Sequence, residues 1–161
     1  MATTDLSAYD KNTIPNAKQF RFGIVVSEWN SDITNNLHKG AFDTLIEHGA
    51  VEQNITTLHV PGSYELIYGC KKLIQNKELD AVIAIGNVIQ GETKHFDFVC
   101  DAVSQGIKDI NFHFDVPTIF CVLTDNTKQQ SLDRSGGKHG NKGIESAVAA
   151  IKMAQLKFDL K

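Results

Sequence analysis

Apolar residues form a few unbroken runs in this chain, and most runs lead through a polar loop into a segment of helical periodicity. Residues 81–85 (AVIAI) show no alternation, which predicts a strand buried on both faces of a parallel sheet. Gly86 should end this strand, with a loop over residues 87–93 and then a helix whose apolar positions recur through residues 96–110. Open α/β sheets bind their ligands at such junctions between a strand's carboxyl end and a helix N-terminus.

Three further apolar runs predict strands over residues 20–26, 54–60 and 118–124. Helical segments follow these runs, and Ser63 is well placed to cap the helix after the second run. With right-handed crossovers, the alternation predicts a three-layer α/β domain in which helices flank a four-stranded parallel sheet, as in flavodoxin-like folds. We expect one domain over residues 20–161, preceded by a polar arm over residues 1–19 that lies outside the core.

The strand-to-helix loops of a parallel sheet emerge at one edge, so their polar and aromatic residues should lie together. That edge would hold Trp29, residues 63–65, residues 87–95 and the loop after Thr124. The glycine-rich segment over residues 136–143 does not match the phosphate-binding P-loop pattern, and we expect a flexible loop there.

Composition narrows the function without identifying it. Apolar residues make up 42% of the chain and charged residues 22%, with a net charge of −3, which offers no basic surface for nucleic acid or for a membrane. No apolar run is long enough to span a bilayer, and the first residues lack the pattern of a secretory signal. The three cysteines form no C-x-x-C pair and lie among apolar residues, which predicts buried free thiols and a cytoplasmic location.

The residues themselves suggest an anion site and a proton carrier. Gly91, Thr93 and Arg134 would suit a phosphate, although Thr93 as a helix cap and Arg134 as a surface ion-pair partner are the alternatives. His95 would exchange protons near neutral pH beside such an anion, with a structural histidine as the alternative. Trp29 would stack on a flat heterocycle. No pair of histidines has metal-ligand spacing with a carboxylate between them, so we expect no metal.

Two long motifs resemble those of the 6,7-dimethyl-8-ribityllumazine synthase family. They are residues 60–66 (VPGSYEL) and residues 86–97 (GNVIQGETKHFD), and the resemblance runs in order from about residue 21 to residue 155. Shorter matches complete it at residues 117–120 (PTIF), 134–136 (RSG) and 141–143 (NKG).

The resemblance implies the penultimate step of riboflavin synthesis, without a metal or organic cofactor. In that step, 5-amino-6-(D-ribitylamino)uracil condenses with 3,4-dihydroxy-2-butanone 4-phosphate. By the same resemblance, His95 transfers protons, while Glu92, Thr93 and Arg134 bind the butanone phosphate. The residues implied to bind the aminouracil are Trp29, Ser63, Tyr64, Glu65, Asn87, Val88, Ile89, Phe120 and Lys142.

The family resemblance also implies a homopentamer whose sites lie between subunits, with Phe120, Lys142 and Arg134 coming from the neighbour. A sixty-subunit icosahedral shell and association with riboflavin synthase are further expectations. Two residues depart from the family's pattern: Gln90, where many relatives carry Arg or Lys, and Asn87, where many carry a small or apolar residue. The competing interpretation is a relative that binds flavin or forms a shell without catalysing, and the presence of His95 and Arg134 argues against it.

Overall fold

The computed structural model describes residues 5–160, so residues 1–4 of the predicted arm and Lys161 lie outside it. The strands of the main sheet are β1 (Phe22–Ser27), β2 (Ile55–Val60), β3 (Ala81–Ile89) and β4 (Thr118–Asp125). The helices are α1 (Ser31–Glu47), α2 (Leu66–Asn76), α3 (His95–His113), α4 (Lys128–Arg134) and α5 (Lys142–Asp159). The sheet is parallel in the order β2-β1-β3-β4, and the predicted α/β fold is confirmed. Within residues 5–160 no helix has the length and apolarity needed to cross a membrane.

The sheet separates two apolar cores, and β3 contributes to both. Ile83 and Ile85 belong to the core covered by α1 and α5, whereas Val82 and Ala84 belong to the core covered by α2 and α3. All four side chains are fully buried. The unalternated apolar run therefore correctly predicted a strand covered on both faces, as in other three-layer parallel sheets.

Strand β3 does not end at Gly86, so the predicted loop from residue 87 is wrong. The strand continues to Ile89, and Val88 and Ile89 pair with Thr124 and Asp125 of β4. Gly86 is needed for space rather than for a turn, because a Cβ there would lie 2.6 Å from Ser63 Oγ. The loop before α3 is correspondingly short, and the end of β3 is held in the sheet.

The capping role predicted for Ser63 is also wrong. Helix α2 begins at Leu66, with Glu65 at its N-cap and no side-chain capping bond. The hydroxyl of Ser63 instead donates to the backbone oxygen of Asn87, at 3.4 Å. This hydrogen bond therefore holds the turn after β2 against β3.

The glycine-rich segment has regular structure, in contrast to the flexible loop that we predicted. Ser135–Gly137 and Gly140–Asn141 form a small antiparallel hairpin, β5 and β6, which leads into α5. Asn141 is buried and caps α5, since its Oδ1 accepts from Gly143 N at 2.8 Å. Its Nδ2 also donates to Asn36 O of α1 at 3.0 Å, which fixes the hairpin against that helix.

The polar segment before β1 packs on the domain. Leu6 N donates to His139 O at 2.7 Å, and Asn141 N donates to Ser7 Oγ at 2.9 Å. Ala17 is fully buried in the core beneath α1 and α5, so the expectation that the arm lies outside the core is wrong at this residue. The domain boundary at residue 20 stays a prediction.

The three cysteines are free, and their burial differs. Cys70 and Cys121 are buried as predicted, whereas Cys100 on α3 is only half-buried. Burial raises the pKa of the Cys70 thiol to about 12 and that of Cys121 to about 11. Both thiols are therefore protonated and unreactive at neutral pH.

Candidate functional site

Loops from two neighbouring strands converge on the backbone oxygen of Asn87 near the carboxyl end of β3. Asn30 Nδ2, from the loop after β1, donates to this oxygen at 3.4 Å. Ser63 Oγ, from the loop after β2, donates to the same oxygen at 3.4 Å. The two loops are also joined to each other, because Trp29 N donates to Pro61 O at 3.2 Å. The sequence-based expectation that these loops gather at one edge is confirmed.

Asn30 is a candidate site residue that the sequence analysis missed. Among residues 5–160 it is the one non-glycine residue with a positive φ, at 57°. Asparagine tolerates this left-handed conformation better than most residues. An asparagine directly before a helix is a signal that would have identified it as a turning point.

Two exposed aromatic side chains lie on these loops. Trp29 is 72% exposed and Tyr64 is 57% exposed, so neither side chain packs into the core of this chain. Gly62 lies between Trp29 and Glu65, since a Cβ on Gly62 would be 3.3 Å from Trp29 Cδ1 and 2.9 Å from Glu65 Oε2. The edge therefore offers a flat apolar surface beside a carboxylate, an arrangement suited to a polar heterocycle.

The loop between β3 and α3 is open to solvent. A Cβ on Gly91 would meet no atom within 4 Å, and Glu92, Thr93 and His95 are exposed. Thr93 Oγ1 accepts from His95 N at 3.4 Å, but Thr93 precedes the N-cap residue, Lys94, which makes no side-chain capping bond. The start of a long helix thus faces open space beside a hydroxyl and an imidazole, which favours an anion.

The segment after β4 adds polar residues that the sequence analysis did not identify. Arg134 Nη1 lies 3.7 Å from Asp125 Oδ1, and Asp125 Oδ2 accepts from Ser131 Oγ at 2.8 Å. Ser131 Oγ in turn accepts from Asn87 Nδ2 at 2.9 Å. Arg134 does form an ion pair, as one alternative held, but its partner is a buried carboxylate at the end of the sheet.

Phe120 and Lys142 lie on other elements. Phe120 of β4 is half-buried, packs against the core beneath α2 and α3, and pairs in register with Ala84. Lys142 is the first residue of α5 and forms an ion pair with Glu145. Over residues 5–160, no hydrogen bond or ion pair connects the side chain of either residue to the loops around Asn87.

A parallel α/β sheet with aromatic, hydroxyl, imidazole and guanidinium groups after its strands defines a small-molecule-binding protein of the α/β class. Comparison with known proteins shows the family within that class. The family model described as 6,7-dimethyl-8-ribityllumazine synthase matches residues 19–157. The chain therefore belongs to the 6,7-dimethyl-8-ribityllumazine synthase family, which confirms the resemblance seen in its sequence. It is an enzyme of the transferase type and of riboflavin biosynthesis.

Individual relatives of the same name match nearly the whole chain. The protein of Christiangramia forsetii is 69% identical, over 100% of this chain and 98% of its own. The protein of Flavobacterium johnsoniae is 66% identical, over 98% of this chain and 84% of its own. The protein of Porphyromonas gingivalis is 53% identical, over 97% of this chain and 98% of its own. The similarity thus covers every element that forms the site.

Proposed function

We propose that the protein condenses 5-amino-6-(D-ribitylamino)uracil with 3,4-dihydroxy-2-butanone 4-phosphate to give 6,7-dimethyl-8-ribityllumazine, phosphate and water. Family membership supports the reaction. The observation that supports the site is the convergence of the loops after β1 and β2 on Asn87, beside the exposed loop before α3. A reaction that joins two bound molecules depends strongly on orientation, which such a rigid edge provides.

The aminouracil occupies the surface formed by the first two loops. Trp29 stacks on the pyrimidine, and its 72% exposure leaves the indole free to do so. Ser63, Tyr64 and Glu65 hold the ribityl chain, and the Glu65 carboxylate beside Trp29 is suited to accept from its hydroxyls. Asn87, Val88 and Ile89 meet the uracil edge. Asn87 is only 3% exposed as a whole residue, so the half-buried Val88 and Ile89 form the accessible part of this contact.

The butanone phosphate binds where the helix α3 begins. Glu92 contributes its backbone N–H and Thr93 its hydroxyl, and both residues are exposed beside the open space at Gly91. The helix dipole of α3 adds a favourable field for the phosphate. Arg134 supplies the positive charge and retains free N–H groups, because its contacts with Gln130 and Asp125 use only Nη1.

His95 transfers protons between the reacting groups. Formation of an imine, loss of phosphate and ring closure each require a proton to move, and a positioned imidazole can carry it. His95 is exposed at the first position of α3, next to the proposed phosphate site. The proposal assigns no metal and no organic cofactor.

The site is completed by a neighbouring subunit of a homopentamer, which contributes Phe120, Lys142 and Arg134. The position of β4 supports this, because β4 is an edge strand of the sheet and is open to a neighbouring subunit. Phe120 lies on β4, and Arg134 and Lys142 follow it in the chain. Within one chain, over residues 5–160, no hydrogen bond or ion pair joins His95 to any of the three. Further assembly into a sixty-subunit shell, association with riboflavin synthase and a cytoplasmic location belong to the same proposal.

Absorbance of the lumazine product tests the reaction directly. The purified protein should form product from the two substrates faster than the spontaneous reaction does, and EDTA should leave the rate unchanged. Product formation no faster than in the absence of protein would contradict the proposal.

Subunit complementation tests the shared site. Variants His95→Ala and Arg134→Ala should each be impaired. Their 1:1 co-assembly should restore about one quarter of the sites, because an intact site needs His95 from one subunit and Arg134 from its neighbour, and each is present about half of the time. Co-assemblies no more active than the average of the two variants would place both residues in the same subunit's site.

A further inference from the structure

A buried set of three polar side chains connects β3 to the ion pair of Arg134. Asn87 Nδ2 donates to Ser131 Oγ at 2.9 Å, and Ser131 Oγ donates to Asp125 Oδ2 at 2.8 Å. Asp125 Oδ1 then lies 3.7 Å from Arg134 Nη1. Asn87, Ser131 and Asp125 are 3%, 0% and 7% exposed, so water does not compete for these bonds. We call these three residues the buried relay.

The hydrogen bonds of the buried relay have only one favourable assignment of donors and acceptors. An ionised Asp125 can only accept, so Ser131 must donate to it and must accept from the Asn87 amide. The amide oxygen of Asn87 is then left over, and it is the one buried side-chain nitrogen or oxygen among residues 5–160 without a hydrogen-bond partner. A reversed amide would turn the Ser131 proton towards Asn87 and leave a buried carboxylate oxygen without its donor, which costs more. The orientation of Asn87 is therefore dictated by Asp125.

The buried relay places Asp125, and Asp125 places the guanidinium of Arg134. With Oδ2 held by Ser131, the carboxylate cannot rotate freely, and Oδ1 stays on the side of Arg134. The guanidinium also donates from Nη1 to Gln130 O at 3.2 Å. The Arg134 side chain is 38% exposed, so it is anchored on its inner side and open to an anion on its outer side.

We propose that Ser131 and Asn87 are positioning residues that act through Asp125 to hold Arg134 for a phosphate-bearing substrate. The identity of that substrate rests on the proposed function. All three residues of the buried relay and Arg134 belong to one chain, so the argument holds whichever subunit's site Arg134 serves.

The Ser131→Ala variant tests the proposal through the KM of each substrate and the Kd of inorganic phosphate. Loss of the Ser131 hydroxyl removes both of its hydrogen bonds in the relay. With its donor to Asp125 gone, the KM of the phosphate substrate and the Kd of phosphate should rise roughly 3- to 10-fold. The KM of the aminouracil and kcat should stay within about twofold of wild type. Ser131→Thr keeps the hydroxyl and should restore phosphate binding. Thr44→Val is the matched control, since it removes a buried hydroxyl that donates to Gly40 O, outside the site.

The Asn87→Ala variant tests the relay from its other end and serves if Ser131→Ala does not fold. It should weaken phosphate binding less than Ser131→Ala, and it should add no further loss in the Ser131→Ala background, because both changes interrupt one path. Phosphate binding of wild-type strength in both folded variants, or an equal loss in Thr44→Val, would overturn the proposal. The Kd of inorganic phosphate decides the matter even if wild type forms no lumazine, an outcome that would contradict only the proposed function.

Discussion

Gly143 at the start of α5 lies directly against the backbone carbonyl of Leu37 in α1. A Cβ on Gly143 would overlap the Leu37 carbonyl oxygen and would lie 2.8 Å from the carbonyl carbon. The two helices therefore cross with their backbones in contact, and together they cover one core of the sheet. Only glycine permits this approach without moving one helix.

Gly143→Ala should destabilise the protein by about 1–3 kcal/mol, because the added methyl meets rigid backbone rather than a flexible side chain. Thermal unfolding followed by circular dichroism measures the change. Gly91→Ala is the matched control, since a Cβ there meets nothing within 4 Å, and its stability should stay within about 0.5 kcal/mol of wild type. Equal melting temperatures for Gly143→Ala and wild type would contradict this prediction and would show that α1 and α5 can move apart to admit the methyl group.

Asn111→Ala should cost about 1–3 kcal/mol of stability, because this amide joins the end of α3 to the start of β4. Asn111 Nδ2 donates to Thr118 O at 2.8 Å, and Thr118 N donates to Asn111 Oδ1 at 2.8 Å. Asn76→Ala provides the control, since its exposed amide bonds only to Lys72 O of its own helix. Urea unfolding of both variants should show a clear loss for Asn111→Ala alone, and similar midpoints would contradict this role.

The main elements could be predicted from the sequence because burial leaves a local pattern. The apolar run at residues 81–85 predicted a central strand, and helical spacing after it predicted α3. The end of β3 could not be predicted this way, because a glycine after an apolar run usually marks the end of a strand. Here it makes room for Ser63, a contact that is visible only in three dimensions.

The candidate site could be predicted only in part, for the same reason. Residues within the two long motifs, such as His95 and Tyr64, could be named as candidates from the sequence alone. The buried relay was missed, because Asn87 and Ser131 are 44 positions apart and neither stands in a pattern that predicts the other. Pairings of this kind are set by the packing of β3 against β4 and α4, which periodicity does not describe.

Acid should destabilise the protein partly through His38. This half-buried histidine bonds through Nε2 to Thr57 Oγ1 at 3.1 Å. Desolvation and the nearby His59 lower the pKa of His38, while Asp43 opposes them. The unfolded chain therefore binds more protons than the folded protein at mildly acid pH. The contribution of His38 to the free energy of unfolding is complete above about pH 6.5 and is lost as the pH falls through the lowered pKa.

Replacing His38 by glutamine should flatten the dependence of stability on pH between about pH 5 and 7, as measured by unfolding at several pH values. His113→Gln, an exposed histidine at the end of α3, should keep the wild-type dependence. A wild-type slope in His38→Gln would show that other groups cause the acid sensitivity.

The rate of lumazine formation by His95→Ala, compared with wild type and with His113→Ala, tests the central claim most directly. His113 lies at the opposite end of the same helix, so it controls for the loss of an exposed imidazole from α3. We predict that kcat falls about 10²- to 10⁴-fold in His95→Ala, because proton transfer is lost while both substrates stay oriented. His113→Ala should keep the wild-type rate. A wild-type kcat in His95→Ala, or an equal loss in both variants, would contradict the role of His95 at this site.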